Sequence, residues 1–395
     1  MDPFDPAHLP AEFYENPYPT YAKLLVHNPI YELPGGGFFL TRYNDLDAVY
    51  RDPKRFSSDK AIQFGPVLGD YPNLYEHHTT SLVFSDPPLH TRVRKAIGNA
   101  LSQRMIQGMR SDLIELVDRL IDELPHDQSV DLIESFAARI PVEVIGNLLG
   151  VPADERDPLR DWSLAILGCL EPAPSVEALN RGEQATIEFL DYLEHFVARH
   201  PVGEDDDIVT RLLRWTDGDG GLAASQLYHQ CIFLLNAGHE TTTNLIGNGI
   251  ELLVGHPEQK ARFVVDDEIQ SAAIEEILRY ESSNQFGNRT SVEDTEIGGY
   301  KIPANSVVTL CIGAANRDPE VFPDPDLFDI SRNSIPHLGF GAGIHTCAGL
   351  HVARLEGQLA LRRFFQAFSE VEILLPERAS RARFRGFSRL LARVV

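Results

Sequence analysis

The ten residues Phe340-Gly341-Ala342-Gly343-Ile344-His345-Thr346-Cys347-Ala348-Gly349 constrain this chain more than any other stretch. Three glycines around one cysteine let the backbone adopt dihedrals closed to other residues and pass close to a flat partner. A segment of helical period, 349–367, follows directly. The sulfur therefore sits beside unsatisfied N–H groups and the positive end of a helix dipole, both of which favour thiolate over thiol. Phe340 is placed to pack on the sulfur side and limit water. A thiolate ligand to a metal needs this arrangement. Taken alone, Cys347 reads more readily as a buried structural cysteine beside a glycine turn, so the rest of the chain must decide.

The charge balance narrows the class. Of 395 residues, 35 are Lys or Arg and 58 are Asp or Glu, a formal charge of −23. This argues against general nucleic-acid binding and against docking on an acidic membrane, while leaving room for a local basic patch. The N-terminal stretch has no basic segment leading into an apolar run, and the longest apolar stretches are too short or interrupted to span a bilayer. The expectation is a cytoplasmic protein with no integral membrane association. Cys169, Cys231, Cys311 and Cys347 are far apart and form no CxxC pair, which argues against a disulfide framework or zinc knuckle and fits a reducing compartment.

Periodicity predicts helices at 18–27 and 44–52, and strands at 29–33 and 37–41 around the turn Gly35-Gly36-Gly37. Residues 61–80 mix Gly, Pro, Asn and aromatics without a sustained period and read as a long loop with room for one short helix. From 88 to 201 the pattern is mostly helical, most clearly at 131–149 and 181–199, and 203–207 reads as an exposed acidic turn. The longest helical segment, 225–255, would extend roughly 45 Å. A compact amphipathic helix is expected at 267–281, short strands between 289 and 312, and pairing strands at 372–375 and 390–395. With no internal repeat or low-complexity linker, this is a mainly α fold with a small β region, read as one domain over 1–395.

Asn236-Ala237-Gly238-His239-Glu240-Thr241-Thr242-Thr243 interrupts the otherwise apolar 225–255 helix. Consecutive threonines and a glycine are poor helix formers. A hydroxyl bonding back to an earlier carbonyl bends or widens a helical turn, leaving a polar groove in an apolar surface. A kinked core helix with a polar patch is the other reading of the same residues.

Together these segments resemble the cytochrome P450 family, whose cysteine signature is Phe-x-x-Gly-x-x-x-Cys-x-Gly. Phe340, Gly343, Cys347 and Gly349 match it, and Gly341 and His345 match its longer bacterial form. The resemblance runs from about residue 17 to the C-terminus. It implies the triangular P450 fold as a single haem-thiolate domain, with haem b whose iron is ligated by Cys347. The Ala237–Thr241 segment resembles the oxygen-activation motif. Thr241 would hydrogen-bond dioxygen, Glu240 would relay protons, and Ala237 and Gly238 would leave room above the haem. Glu276 and Arg279, three apart on one helix, resemble the P450 ion pair that braces the proximal side. They are expected to bond an arginine from the following region, which 316–319 and 322–328 resemble. His90 and Arg94, four apart at the start of a helix, resemble the His-x-x-x-Arg pair that holds haem propionates. Arg289 and His345 resemble two further propionate ligands.

Specificity is less legible. The resemblance places substrate contacts at 61–80, 164–187, 234–241, the strand after Ser283, and a turn near 386–387. Candidate contacts are Phe64, Tyr71, Leu82, Val83, Leu234, Asn284, Phe286 and Phe387. Aromatics at such places equally pack in a core. Bacterial relatives commonly carry Ser-Pro-Val-Gln where this chain has Ser282-Ser283-Asn284-Gln285. Loss of the proline should loosen that bend, and Asn284 and Asn236 bring buried amides that need partners. The expected substrate is small to medium-sized and partly polar.

The haem domain accounts for the full length, so electrons must come from outside, with a ferredoxin and ferredoxin reductase as the expected donors. Arg92, Arg94, Lys95, Arg104, Arg354, Arg362 and Arg363 would form a local basic surface for an acidic ferredoxin. The implied activity is a monooxygenase that hydroxylates, epoxidises or oxidatively dealkylates its substrate with dioxygen. An atypical member performing coupling or desaturation, and a non-catalytic haem-binding or sensor protein, are the alternatives. Glu240 and Thr241 argue against the last.

Overall fold

Apolar residues recur with helical period along most of the chain, and the computed structural model, which describes residues 4–200, 207–216, 220–332 and 336–395, is mostly helical. Of the acidic stretch 203–207, read as exposed, 203–206 lie outside the described residues, and Asp207 is buried as the N-cap of Ile208–Arg214, accepting from the Thr210 N–H. The chain, read from its sequence as one domain, packs as two compact units. One draws on 1–57, 110–140 and 241–395, the other on 58–109 and 141–240.

Every strand among the described residues belongs to the first unit. Its larger sheet runs in the order Ile30–Glu32, Phe38–Leu40, Val307–Cys311, Phe286–Ser291, Phe56–Ser57. Phe38–Leu40 pairs in parallel with Val307–Cys311, and the other pairings are antiparallel. The glycine turn predicted between the first two strands is present, with Gly36 and Gly37 at φ of 91° and 84°. Phe286 packs inward against Phe39, ring centroids 5.4 Å apart, in a cluster with Phe4, Phe13 and Tyr21. A second sheet joins Ser129–Asp131, Phe387–Val394 and Val371–Arg378, longer strands than the C-terminal pattern predicted.

The second unit is helical throughout its described residues. Trp162 of Leu159–Gly168 stacks on Phe189 of Val176–Arg199, centroids 5.0 Å apart. Where the sequence predicts a long loop at 61–80, there are two helices, Ala61–Leu68 and Pro72–Thr80. Remote side chains make the second of these possible. The Glu183 carboxylate accepts from the backbone N–H of Leu74 (2.8 Å) and Asn73 (3.2 Å), satisfying orphan donors at the positive end of the helix. At the other end Gln230 donates to the Thr80 carbonyl (2.9 Å) and accepts from Leu82 N–H (3.1 Å).

The predicted 225–255 helix is Ala224–Gly255, 32 residues, and stays helical through its threonines rather than breaking there. Its residues up to Glu240 belong to the second unit and those from Thr241 onward to the first.

In the first unit, Gln270–Tyr280 carries two adjacent carboxylates with separate tasks. Glu276 and Arg279 are both buried and form a bidentate pair at 2.7 and 2.8 Å. Arg279 also donates to the carbonyls of Asn316 and Pro325, each at 2.9 Å. The third member is Arg332, whose Nε lies 3.2 Å from Glu276 Oε2. It is not Arg317, which donates instead to the Tyr280 carbonyl and to Asp326. Glu275 holds the cysteine loop. It binds Arg354 through both oxygens at 2.7 Å and His337 at 3.2 Å. His337 and Arg354 both lie against Phe340, the first residue of the loop, at 5.6 and 5.0 Å. Burial raises the Glu275 carboxyl, but bonds from His337 and Arg354 outweigh it and hold the group at about 2.

Three variants test these ion pairs. Arg279→Leu leaves Glu276 buried with one fewer cation and should cost about 3–5 kcal/mol, seen as a lowered thermal midpoint. Arg393→Ala, at the exposed pair with Glu372, should stay within about 1 kcal/mol. Because the Glu275 carboxyl is depressed in the fold, its stabilisation is present above pH 4.5, its ordinary value, and fades as pH falls toward 2. Glu275→Gln should therefore destabilise at pH 7 by about 1–2 kcal/mol. The gap to the parent protein in denaturant titrations should close between those two pH values.

Candidate active site

The cysteine loop is built by one close approach. Gly343 has φ of 69°, and a Cβ there would lie 2.2 Å from the Tyr50 carbonyl oxygen, so no other residue fits. That approach packs the loop on the helix Tyr43–Arg51. Cys347 N–H donates back to the Phe340 carbonyl (2.9 Å), closing the loop, and Gly349 caps the 18-residue helix Leu350–Ala367.

The other three cysteines are buried. Burial pushes the Cys231 thiol up to about 12 and raises Cys311 as well. Cys169 donates to the Ala165 and Ala178 carbonyls. Cys347 alone is half-exposed, at the N-terminal end of a long helix. An accessible soft donor, a turn of close-packed glycine and a helix dipole behind the sulfur fit a haem iron.

In the same unit, Arg289 is buried on the strand Phe286–Ser291 with its guanidinium 5.0 Å over the Tyr50 ring, and His345 sits half-buried in the turn Gly343–His345. Thr241 is half-buried and Thr242 and Thr243 are buried. The bend at 281–285 is not loosened by its missing proline. Ser282 Oγ donates to the Leu278 carbonyl and accepts from Asn316 Nδ2, both at 2.8 Å, and Gln285 donates to the Ser282 carbonyl at 2.7 Å. Asn284 is half-buried and bridges to Phe384. Phe286 is a core residue of the aromatic cluster, and Phe387 is buried under the Arg378 guanidinium, 3.8 Å away, so both belong to packing.

In the second unit, His90 and Arg94 share one face of Leu89–Ala100, His90 buried and Arg94 half-buried. On the central helix Ala237 is exposed and Glu240 buried. A Cβ on Gly238 would lie 2.6 Å from Ile145 Cδ1, so this glycine permits helix-to-helix contact rather than merely weakening the segment. Phe64 packs edge-on to Phe84 (5.4 Å). Leu82 and Leu234 are buried, Tyr71 is half-buried, and Val83 is exposed.

Sequence reasoning missed Arg332, the Glu275–Arg354–His337 cradle, and a cluster of His77, His78 and His229. The adjacent Glu275-Glu276 and His77-His78 pairs were the available signals. The expected basic surface is also corrected. Arg354, Arg362 and Arg363 are each paired with a carboxylate, Glu275, Asp267 and Asp118 respectively. Arg92 donates to the Gly220 and Gly221 carbonyls. Lys95 and Arg104 are exposed. Among the described residues no helix is long and apolar enough to cross a membrane.

Comparison with known proteins agrees with this geometry. Residues 183–378 match the family model for cytochrome P450. The chain is 37% identical to vitamin D(3) 25-hydroxylase of Pseudonocardia autotrophica, covering 89% of this chain and 86% of that protein. It is 36% identical to 6-deoxyerythronolide B hydroxylase of Saccharopolyspora erythraea, covering 91% of each. The solved structure of P450BioI in complex with a hexadec-9Z-enoic acid ligated acyl carrier protein superposes with a TM-score of 0.91 at 31% identity, covering 98% of this chain and all of that one. The chain belongs to the cytochrome P450 family and is a haem-thiolate monooxygenase.

Proposed function

We propose that Cys347 is the iron ligand of a haem b, held at its propionates by His90, Arg94, Arg289 and His345. The observation that carries this reading is the contrast among the cysteines: three are buried, and the fourth is open at a helix start inside the glycine loop. When bound, the haem supplies the oxidising power that places one atom of dioxygen in the substrate while the other leaves as water, with two electrons and two protons consumed. Phe340 shields the sulfur, Thr241 presents its hydroxyl proton on the oxygen side, and Glu240 carries protons to it. Ala237 and Gly349 keep side-chain bulk away from the two faces, while Gly238, expected to do the same, is taken up by the contact with Ile145.

The electrons come from a ferredoxin and its reductase in the cytoplasm. With three of the expected arginines already paired, exposed Lys95 and Arg104 are the cations best placed to meet an acidic partner. The substrate is small to medium-sized and partly polar. Relatives named for vitamin D3 and for 6-deoxyerythronolide B hydroxylation support a compound of that size carrying oxygen functions.

Reduced protein treated with carbon monoxide should show the long-wavelength Soret band of thiolate ligation. Cys347→His should retain haem but move the band to the position of a nitrogen ligand. A parent protein that folds, binds haem and lacks the long-wavelength band would refute the assignment. Thr241→Ala should keep that band while most of the reductant consumed appears as hydrogen peroxide instead of product. Unchanged coupling would remove Thr241 from the proton path.

A further inference from the structure

One buried polar cluster in the second unit is left unfinished by its own residues. His77, on Pro72–Thr80, has its ring 5.7 Å from that of His229 and its Nε2 3.4 Å from Asn236 Nδ2. His229 and Asn236 lie seven residues apart on the central helix, hence on one face about 10 Å apart along the axis. All three are at most 4% exposed.

The hydrogen-bond sense of the cluster can be worked out. Ser81 Oγ donates to the His77 carbonyl at 2.5 Å, so toward His77 Nδ1, 3.4 Å away, it can only accept. His77 therefore carries its proton on Nδ1, and its Nε2 lone pair accepts from the Asn236 amide. Burial, with His78 and His229 beside it, holds His77 well below the ordinary histidine value, which keeps it neutral. Asn236 Oδ1 is thus an acceptor facing away from His77. Among the described residues it has no partner.

His229 repeats the pattern. Its Nε2 lies 3.4 Å from Glu76 Oε1, which fixes the proton there, and burial lowers the group despite Glu76. Its Nδ1 is then a second buried acceptor, also without a partner among the described residues. Gln230, between them in sequence, has both ends of its amide bonded, so the missing partners are confined to this face. A buried acceptor without a donor is costly, and of the two it is Asn236, beside His77, that stands on the segment 234–241 where the resemblance places substrate contacts.

We propose that Asn236, positioned through His77, is a specificity residue whose Oδ1 accepts a hydrogen bond from a hydroxyl or amino group of the substrate. This rests on the monooxygenase reading and names a feature of the compound it takes. An alcohol or amine satisfies this lone pair. A ketone, ether or carboxylate presents lone pairs to a lone pair. The site therefore selects donors and rejects acceptors of the same size.

The test uses the haem-loaded protein and matched sets of alcohol, ketone and methyl ether on cyclohexyl, phenylcyclohexyl, decalyl and steroid frameworks, with dissociation constants read by calorimetry. On the frameworks that bind, the alcohol should bind about tenfold more tightly than its ketone and ether. Asn236→Leu should bring the three together while the ether and ketone hold their affinity. Asn236→Val should do the same, and it serves independently should the first variant fold poorly. Equal affinities in the parent protein, no binding by any alcohol, or a preference that survives in both folded variants would overturn the proposal. The carbon monoxide band reports separately on Cys347, so a failure here is distinguishable from a failure of the haem assignment.

Discussion

A buried carboxylate, Glu276, organises the first unit. With its charge out of water it must be met by cations and N–H donors, and it is met by Arg279, Arg332 and the Asp329 backbone. Arg279 in turn collects carbonyls from 316 to 327. An irregular stretch is thereby fixed without regular secondary structure of its own. The neighbouring Glu275 extends the same helix's hold to the cysteine loop through His337 and Arg354. One turn of helix thus sets two irregular segments, one of them the loop bearing Cys347. Such a pair adds little net stability compared with apolar packing, but removing one partner is expensive. Its value lies in allowing one arrangement.

How much of this was legible depends on distance along the chain. The glycine–cysteine loop, the central helix and the Glu276–Arg279 pair are written within a few residues, and each stands where the sequence put it. Features that depend on distant partners were not readable. Residues 61–80 lack helical period, and Pro72–Thr80 is a helix because Glu183 and Gln230 satisfy its two ends from far away in sequence. Arg332 lies beyond the stretch that resembled the family's third partner. Arg354, Arg362 and Arg363 looked like a free basic patch because nothing local shows that Glu275, Asp267 and Asp118 neutralise them.

The substrate candidates divide for the same reason. Phe286 and Phe387 were plausible contacts by position, but a strand alternates its faces, and their faces turn into packed cores. The polar residues fare differently. A buried amide must find a partner somewhere, so Asn236 was a sound signal even with its surroundings unknown. Its neighbours His77 and His229 became meaningful only once two helices brought them together.

The helix Pro72–Thr80 is clamped at both ends by side chains of its neighbours, Glu183 at the start and Gln230 at the finish. Its two ends are held whatever stands between the clamps, while buried Leu74, His77 and His78 fix the face it turns inward. The exposed Glu76, by contrast, is open to exchange by mutation with little effect on the fold. A helix held by its ends lets its outward side chains drift while the cysteine loop, held by its own carboxylate, stays unchanged.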